Sequence, residues 1–145
     1  MYDAILVPVD GSDVADAALD HALSLAAATD AAVHALFVAD TAQDSVTVVG
    51  TDVIDALVEE GQSIVDRAES TAEARGVRVE TAVEQGDPVD AIIEHAEGRG
   101  VDLVVMGTHG RGGIKRYLLG SVTERVLRST DVPVLVVGPL DEDEE

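Results

Sequence analysis

Aliphatic runs alternate along this chain with stretches whose apolar residues recur every three or four positions, and few folds satisfy that alternation. Residues 4–9 (AILVPV), 32–38, 101–106 and 132–137 (VPVLVV) are apolar at nearly every position, as strands buried on both faces must be. Val77, Val79, Thr81 and Val83 alternate instead with Arg78, Glu80, Ala82 and Glu84. That period of two predicts a half-exposed strand at a sheet edge. Between the first two runs, Ser12 caps a predicted helix with Asp13 and Asp16 in its first turn. Ala15, Ala18, Leu19, Ala22, Leu23 and Ala26 then keep helical spacing. Residues 40–52 show no clear period and predict a loop. A longer stripe, Val53, Leu57, Gly61, Ile64, Ala68 and Ala72, ends at Gly76. Asp87 and Pro88 read as a cap and a first helical residue. Val89, Ile92, Ile93 and Ala96 would form the inner face of that helix, closed by Gly98 and Gly100. Val122, Val126 and Leu127 belong to a last helix. Strands and helices in strict succession imply one α/β domain over residues 1–140, an open five-stranded parallel sheet with helices on both faces. Residues 141–145 (DEDEE) predict a disordered acidic tail.

The composition narrows what such a domain does. With 145 residues the chain can bury a core without staples. Tyr2, Phe37 and Tyr117 are its only aromatics, so small aliphatic side chains fill that core. It has no cysteine, which excludes disulfides and thiolate metal sites. No apolar run approaches the ~20 residues that span a bilayer, and a strand-like run opens the chain without a targeting pattern. The expectation is a cytoplasmic protein. A net charge of −20 repels nucleic acid and anionic membrane surfaces alike, so neither is expected as a partner. Charge is nevertheless uneven. Between Leu103 and Thr130 stand Arg111, Lys115, Arg116, Arg125 and Arg128 against the single acid Glu124, a local +4 beside −24 for the remainder. A positive island in an acidic chain suits an anionic ligand, although a solvated helix face would also collect such residues.

The island surrounds the richest glycine segment, Gly107-Thr108-His109-Gly110-Arg111-Gly112-Gly113, followed by Gly120-Ser121. It follows the fourth predicted strand, and ligands of open parallel sheets sit beyond strand carboxyl ends. Glycine lets a backbone approach a phosphate closely, and the helix opening at Ser121 adds its own amides and dipole. Known phosphate loops do not match. Gly107 and Gly112 lack the Gly-Lys-Ser/Thr continuation of a Walker A loop. Gly110 and Gly112 are followed by Lys115 where the dinucleotide fingerprint needs its third glycine.

The spacing that does match is Gly, two residues, Gly, nine residues, Gly-Ser/Thr, carried by Gly107, Gly110, Gly120 and Ser121. With it, the segment GTHGRGGIKRYLLGSVTERVLRSTDVPVLVV and the opening ILVPVDGS resemble the ATP-binding branch of the universal stress protein family over about residues 2–138. The resemblance implies a Rossmann-like sheet in the order 3-2-1-4-5. It implies that Pro8, Val9 and Asp10 line the adenosine, with Asp10 accepting hydrogen bonds from ribose. Val38 resembles the position whose backbone reads adenine. Met106 and Gly107 would flank the sugar and α-phosphate. His109, Gly110, Arg111, Gly120, Ser121 and Val122 resemble the positions that wrap the triphosphate. A magnesium or manganese ion often accompanies those phosphates without dedicated protein ligands. The family also commonly dimerises through its fifth strand, and the uncharged run from Val132 to Val137 is an edge that invites pairing. Acid excess with few aromatics resembles proteins of salt-in halophilic archaea.

Several of these residues also have purely structural readings. Asp10 can start the turn into the first helix. Ser121 with Glu124 forms an S-x-x-E capping box. His109 can be a solvated loop residue, and Arg125 and Arg128 solvated helix positions. His21, His34 and His95 lack metal-ligand spacing and read as structural. Functionally, a nucleotide-loaded stress-response binding module stands first. The alternative is a slow ATP hydrolase or phosphotransferase with Asp10 or Glu124 as base. A response-regulator receiver is rejected, because Glu84-Gln85-Gly86 stands where its acceptor aspartate belongs.

Overall fold

A computed structural model describes residues 2–41, 51–109 and 119–138. Among the described residues nine elements follow one another: β1 (Ala4–Pro8), α1 (Asp13–Thr29), β2 (Ala32–Asp40), α2 (Thr51–Ala74), β3 (Val79–Gly86), α3 (Pro88–Gly98), β4 (Leu103–Gly107), α4 (Ser121–Ser129) and β5 (Val134–Val137). The five strands form one parallel sheet in the order β3-β2-β1-β4-β5. Fold class and strand order therefore agree with expectation. The chain winds outward from β1 to β3, then returns to β4 on the other side of β1. The winding reverses between β1 and β4.

Alternate residues of the central strands feed two cores. Ile5, Val7, Val33, Ala35, Phe37, Leu103 and Val105 face α1 and α2, meeting Ala18, Ala22, Leu23, Val65 and Ala72. Leu6, Leu36, Val104 and Met106 face the other way, against Val89, Ile92 and Ala96 of α3 and Val126 of α4. Burial on both faces explains why these strands lack polar alternation. The alternating β3 sits at an edge, with Glu80 and Thr81 exposed.

Helix starts follow the predicted capping chemistry at two sites. Ser12 Oγ accepts from Ala15 N at 3.1 Å. Asp87 Oδ1 accepts from Val89 N at 2.9 Å and Asp90 N at 3.2 Å, with Pro88 next in line. Several boundaries differ. β2 continues past Val38 to Asp40, because β3 pairs with it up to Asp40↔Gly86. β3 begins at Val79 rather than Val77, whose amide still closes the end of α2 onto Ala72 O. β4 begins at Leu103, since Asp102 turns its carboxylate onto the amides of Asp3 and Ala4. β5 begins at Val134, and Pro133 contributes only its carbonyl, to Val104 N. Val53, placed in the apolar stripe, is 40% exposed in the first turns of α2. The loop expected over 40–52 falls mostly on residues 42–50, which lie outside the described residues, as does the tail 141–145.

Candidate functional site

At the carboxyl ends of the strands, where the winding reverses, lies a cleft of about 390 Å³, within the size range of small-ligand sites. Its wall is built from several places in the chain. β1 ends in Pro8, Val9 and Asp10. There the chain must leave the sheet and enter α1 within a few residues. Asp10 Oδ1 accepts from Ser12 N at 2.9 Å, closing a side-chain turn, and Gly11 takes φ +84°, a left-handed value that glycine adopts without strain. β2 supplies Leu36, Val38 and Asp40; β4 supplies Met106 and Gly107. His109, Gly120, Ser121, Val122 and Thr123 form the wall beyond β4, while Pro88 and Ile92 of α3 close the opposite side.

The β4–α4 corner is held by a chain of hydrogen bonds. Thr108 N donates to Val137 O at 3.0 Å and Gly120 N to Thr108 O at 2.8 Å. Buried Thr123 donates its hydroxyl to Gly107 O at 2.9 Å, fixing the first turn of α4 against the strand end. Thr108 Oγ1 lies 3.2 Å from His109 Nδ1. Gly120 stands where a Cβ would come within 3.0 Å of His109 Cα, so the two backbones approach as closely as glycine permits. Gly120, rather than Ser121, is the N-cap residue of α4, and among the described residues no side chain caps that end. The expected capping box is therefore absent. Ser121 is the first helical residue, and Glu124 instead pairs with Arg128 at 3.0 Å on the exposed face. Gly120 has no side chain to compete for the first amides of α4, which lie beside the cleft.

Ten predicted residues line this one cleft: Pro8, Val9, Asp10, Val38, Met106, Gly107, His109, Gly120, Ser121 and Val122. Gly110 and Arg111 lie outside the described residues, as do Lys115 and Arg116 of the positive island. Arg125 and Arg128 are exposed on α4. Sequence reasoning missed Ala15, Leu36, Asp40, Pro88, Ile92 and Thr123. Asp40 carried a usable signal, an acid at the end of a buried strand. Pro88 and Ile92 carried none, because a helix start and a core residue account for them fully.

The cleft is graded in chemistry. Apolar side chains of β2 and α3 form one end, Leu36, Val38, Pro88 and Ile92 among them. Asp10 stands at β1 in the middle. The glycine-lined, amide-rich corner forms the other end at β4 and α4. With strands about 4.8 Å apart, β2 and β4 stand roughly 10 Å from each other across β1. Among the described residues no helix is long and apolar enough to cross a membrane.

The family model described as the universal stress protein family matches residues 1–138. The universal stress protein MJ0531 of Methanocaldococcus jannaschii is 40% identical over 144 residues, covering 94% of this chain and 82% of that protein. The solved structure of MJ0577, from the same organism, matches with a TM-score of 0.84 at 33% identity, covering 100% of this chain and 99% of the other. A universal stress protein solved in complex with cAMP matches with a TM-score of 0.67 at 33% identity, covering 94% of this chain and 96% of its own. A fold in the order 3-2-1-4-5, a glycine-lined cleft at its switch point and a family match over nearly the whole length establish that this chain belongs to the universal stress protein family.

Proposed function

We propose that this protein binds an adenine nucleotide, ATP, in the cleft at the β1–β4 switch point, and works as a nucleotide-dependent binding module of the stress response. The observation that carries the reading is the gradation across the cleft. A nucleotide needs a flat apolar slot for its base, an acceptor for ribose hydroxyls and amide donors for its phosphates. Leu36, Val38 and Ile92 offer the first, Asp10 the second, and Gly107, Gly120 and the open end of α4 the third, in the same spatial order. The cAMP complex of a relative at 33% identity supports a nucleotide of this class. Gly110 and Arg111 complete the phosphate end in this reading. Among the described residues no cluster of three metal-ligating side chains exists. In this reading a magnesium or manganese ion accompanies the nucleotide on its phosphate oxygens.

The module acts as a homodimer, paired through the open edge of the run from Val132 to Val137. β5 lies at the sheet edge, and Val134, Leu135, Val136 and Val137 are all half-buried there. Mass spectrometry of nucleotide released from freshly purified, denatured protein tests the binding. ATP in near-stoichiometric amount is expected, whereas protein that carries no nucleotide and leaves labelled ATP evenly distributed in equilibrium dialysis defeats the reading. Light scattering after gel filtration tests the dimer, and a monomer at micromolar concentration removes it.

A further inference from the structure

Beneath the cleft, on the face covered by α3, two histidines meet inside the protein. His34 of β2 and His95 of α3 are 8% and 7% exposed. Their ring centroids stand 5.7 Å apart, edge to face at 85°. Among the described residues, His34 Nδ1 and His95 Nε2 are buried without a hydrogen-bond partner. Neither ring touches the cleft, yet each is one step from its wall. Leu36 follows His34 on the same face of β2, and Ile92 precedes His95 by one turn of α3.

We propose that His34 and His95 form a proton-operated control on the cleft, in which protonation of the His34 ring drives α3 away from β2 and weakens nucleotide binding. The proposal rests on the nucleotide reading above. Two neutral imidazoles tolerate edge-to-face contact in an apolar layer, but an imidazolium there places an unsolvated charge against its neighbour. The charged groups facing the pair come from β3 and the end of α3. Glu84 Oε2 lies 3.6 Å from His95 Nδ1. Glu80 stands opposite His34 in the β2–β3 register and pairs with Arg99 at 3.4 Å. Leu6, the neighbour of His34 on β1, is apolar. Burial holds the His34 ring below the ordinary imidazole range; Glu80 opposes that effect, while His95 and Arg99 reinforce it. The ring is therefore neutral at neutral pH and takes its proton only on acidification. Hydrating the new charge requires α3 to part from β2, and α3 carries Pro88 and Ile92 of the cleft wall. By reciprocity, bound nucleotide resists that protonation.

The test is ATP affinity at about pH 8 and about pH 5, in the native protein and in the double variant His34→Leu/His95→Leu. His109, Asp10, Asp40 and the nucleotide's own phosphates are common to both and cancel in the comparison. A loss of about tenfold or more on acidification, one pKa unit of linkage, is expected in the native protein and absent in the variant. Equal losses in both overturn the proposal. Should the variant fail to fold, methyl and imidazole NMR of the native protein decides. Leu36 and Ile92 methyl shifts must follow the ring titration, and rings that stay neutral to about pH 5, or methyls that ignore them, overturn it. Absence of ATP binding at about pH 8 defeats the nucleotide reading instead, and leaves the NMR titration to judge the pair.

Discussion

The Phe37 ring of β2 occupies the space in which a side chain at Gly61 of α2 would stand. A Cβ at Gly61 overlaps that ring, so a buried aromatic and a mid-helix glycine form one packing unit. Helix propensity alone favours alanine over glycine by about 1 kcal/mol. Overpacking costs about 1–3 kcal/mol and opposes it. Gly61→Ala is therefore expected to destabilise the fold in urea, with Phe37→Leu in the same chain restoring much of the loss. A Gly61→Ala protein more stable than the native one would contradict this packing.

Thr123 offers a second test, because its hydroxyl is the direct tie between α4 and the end of β4. Thr123→Val keeps the shape, removes the donor and leaves Gly107 O unpaired, at a cost of about 1–2 kcal/mol. ATP affinity should fall as well, since the amides of α4 lose their placement. Thr123→Ser should recover both quantities. Calorimetric titration alongside denaturant midpoints separates the two effects.

Ser121 should behave differently. Gly120 holds the cap position, so Ser121→Ala is expected to leave stability within about 0.5 kcal/mol, where loss of a true cap costs about 1 kcal/mol. Affinity for ATP should nevertheless drop several-fold, the hydroxyl being free to meet a phosphate. A stability loss of cap size without an affinity change would return Ser121 to a structural role.

Asp102 governs behaviour in acid. Its carboxylate accepts from Asp3 N at 2.6 Å and Ala4 N at 2.9 Å, joining the starts of β1 and β4. Those two bonds hold the carboxyl below the usual carboxylate range, the Asp3 bond contributing most. The folded state thus binds this proton less readily than the unfolded one. The stability so gained is complete above the ordinary carboxylate range and is lost as the pH falls from that range through the lower folded value. Asp102→Asn should flatten this part of the acid-denaturation curve; an unchanged curve would remove Asp102 from the account.

Salt dependence follows from the net charge of −20. Self-repulsion of that size is screened within about 3 Å at molar ionic strength, against about 10 Å at 0.1 M. Thermal midpoints should rise steeply with KCl, and more steeply than a neutral osmolyte at equal osmolality would produce. Equal effects of both would show that the acidic surface contributes nothing beyond exclusion.

Much of this molecule was legible in one dimension. Apolar runs located the central strands, the alternation of Val79 and Val83 with charged residues located an edge, and Ser12 and Asp87 located two helix starts. Each signal depends on residues within a turn or two of each other, so local chemistry decides it. The glycine spacing from Gly107 to Ser121 likewise marked one corner of the cleft. What closes the cleft opposite that corner was not legible. Pro88 and Ile92 look like any helix start and core position until β3 and α3 are placed beside β2. The capping box at Ser121 and Glu124 was a fair local reading overruled by the close approach of Gly120 to His109. His34 and His95, sixty-one positions apart, meet only because α3 covers β2. Periodicity and capping are near-neighbour properties that a sequence determines by itself. Contacts across the sheet depend on strand order and register, which the packing of the whole chain decides.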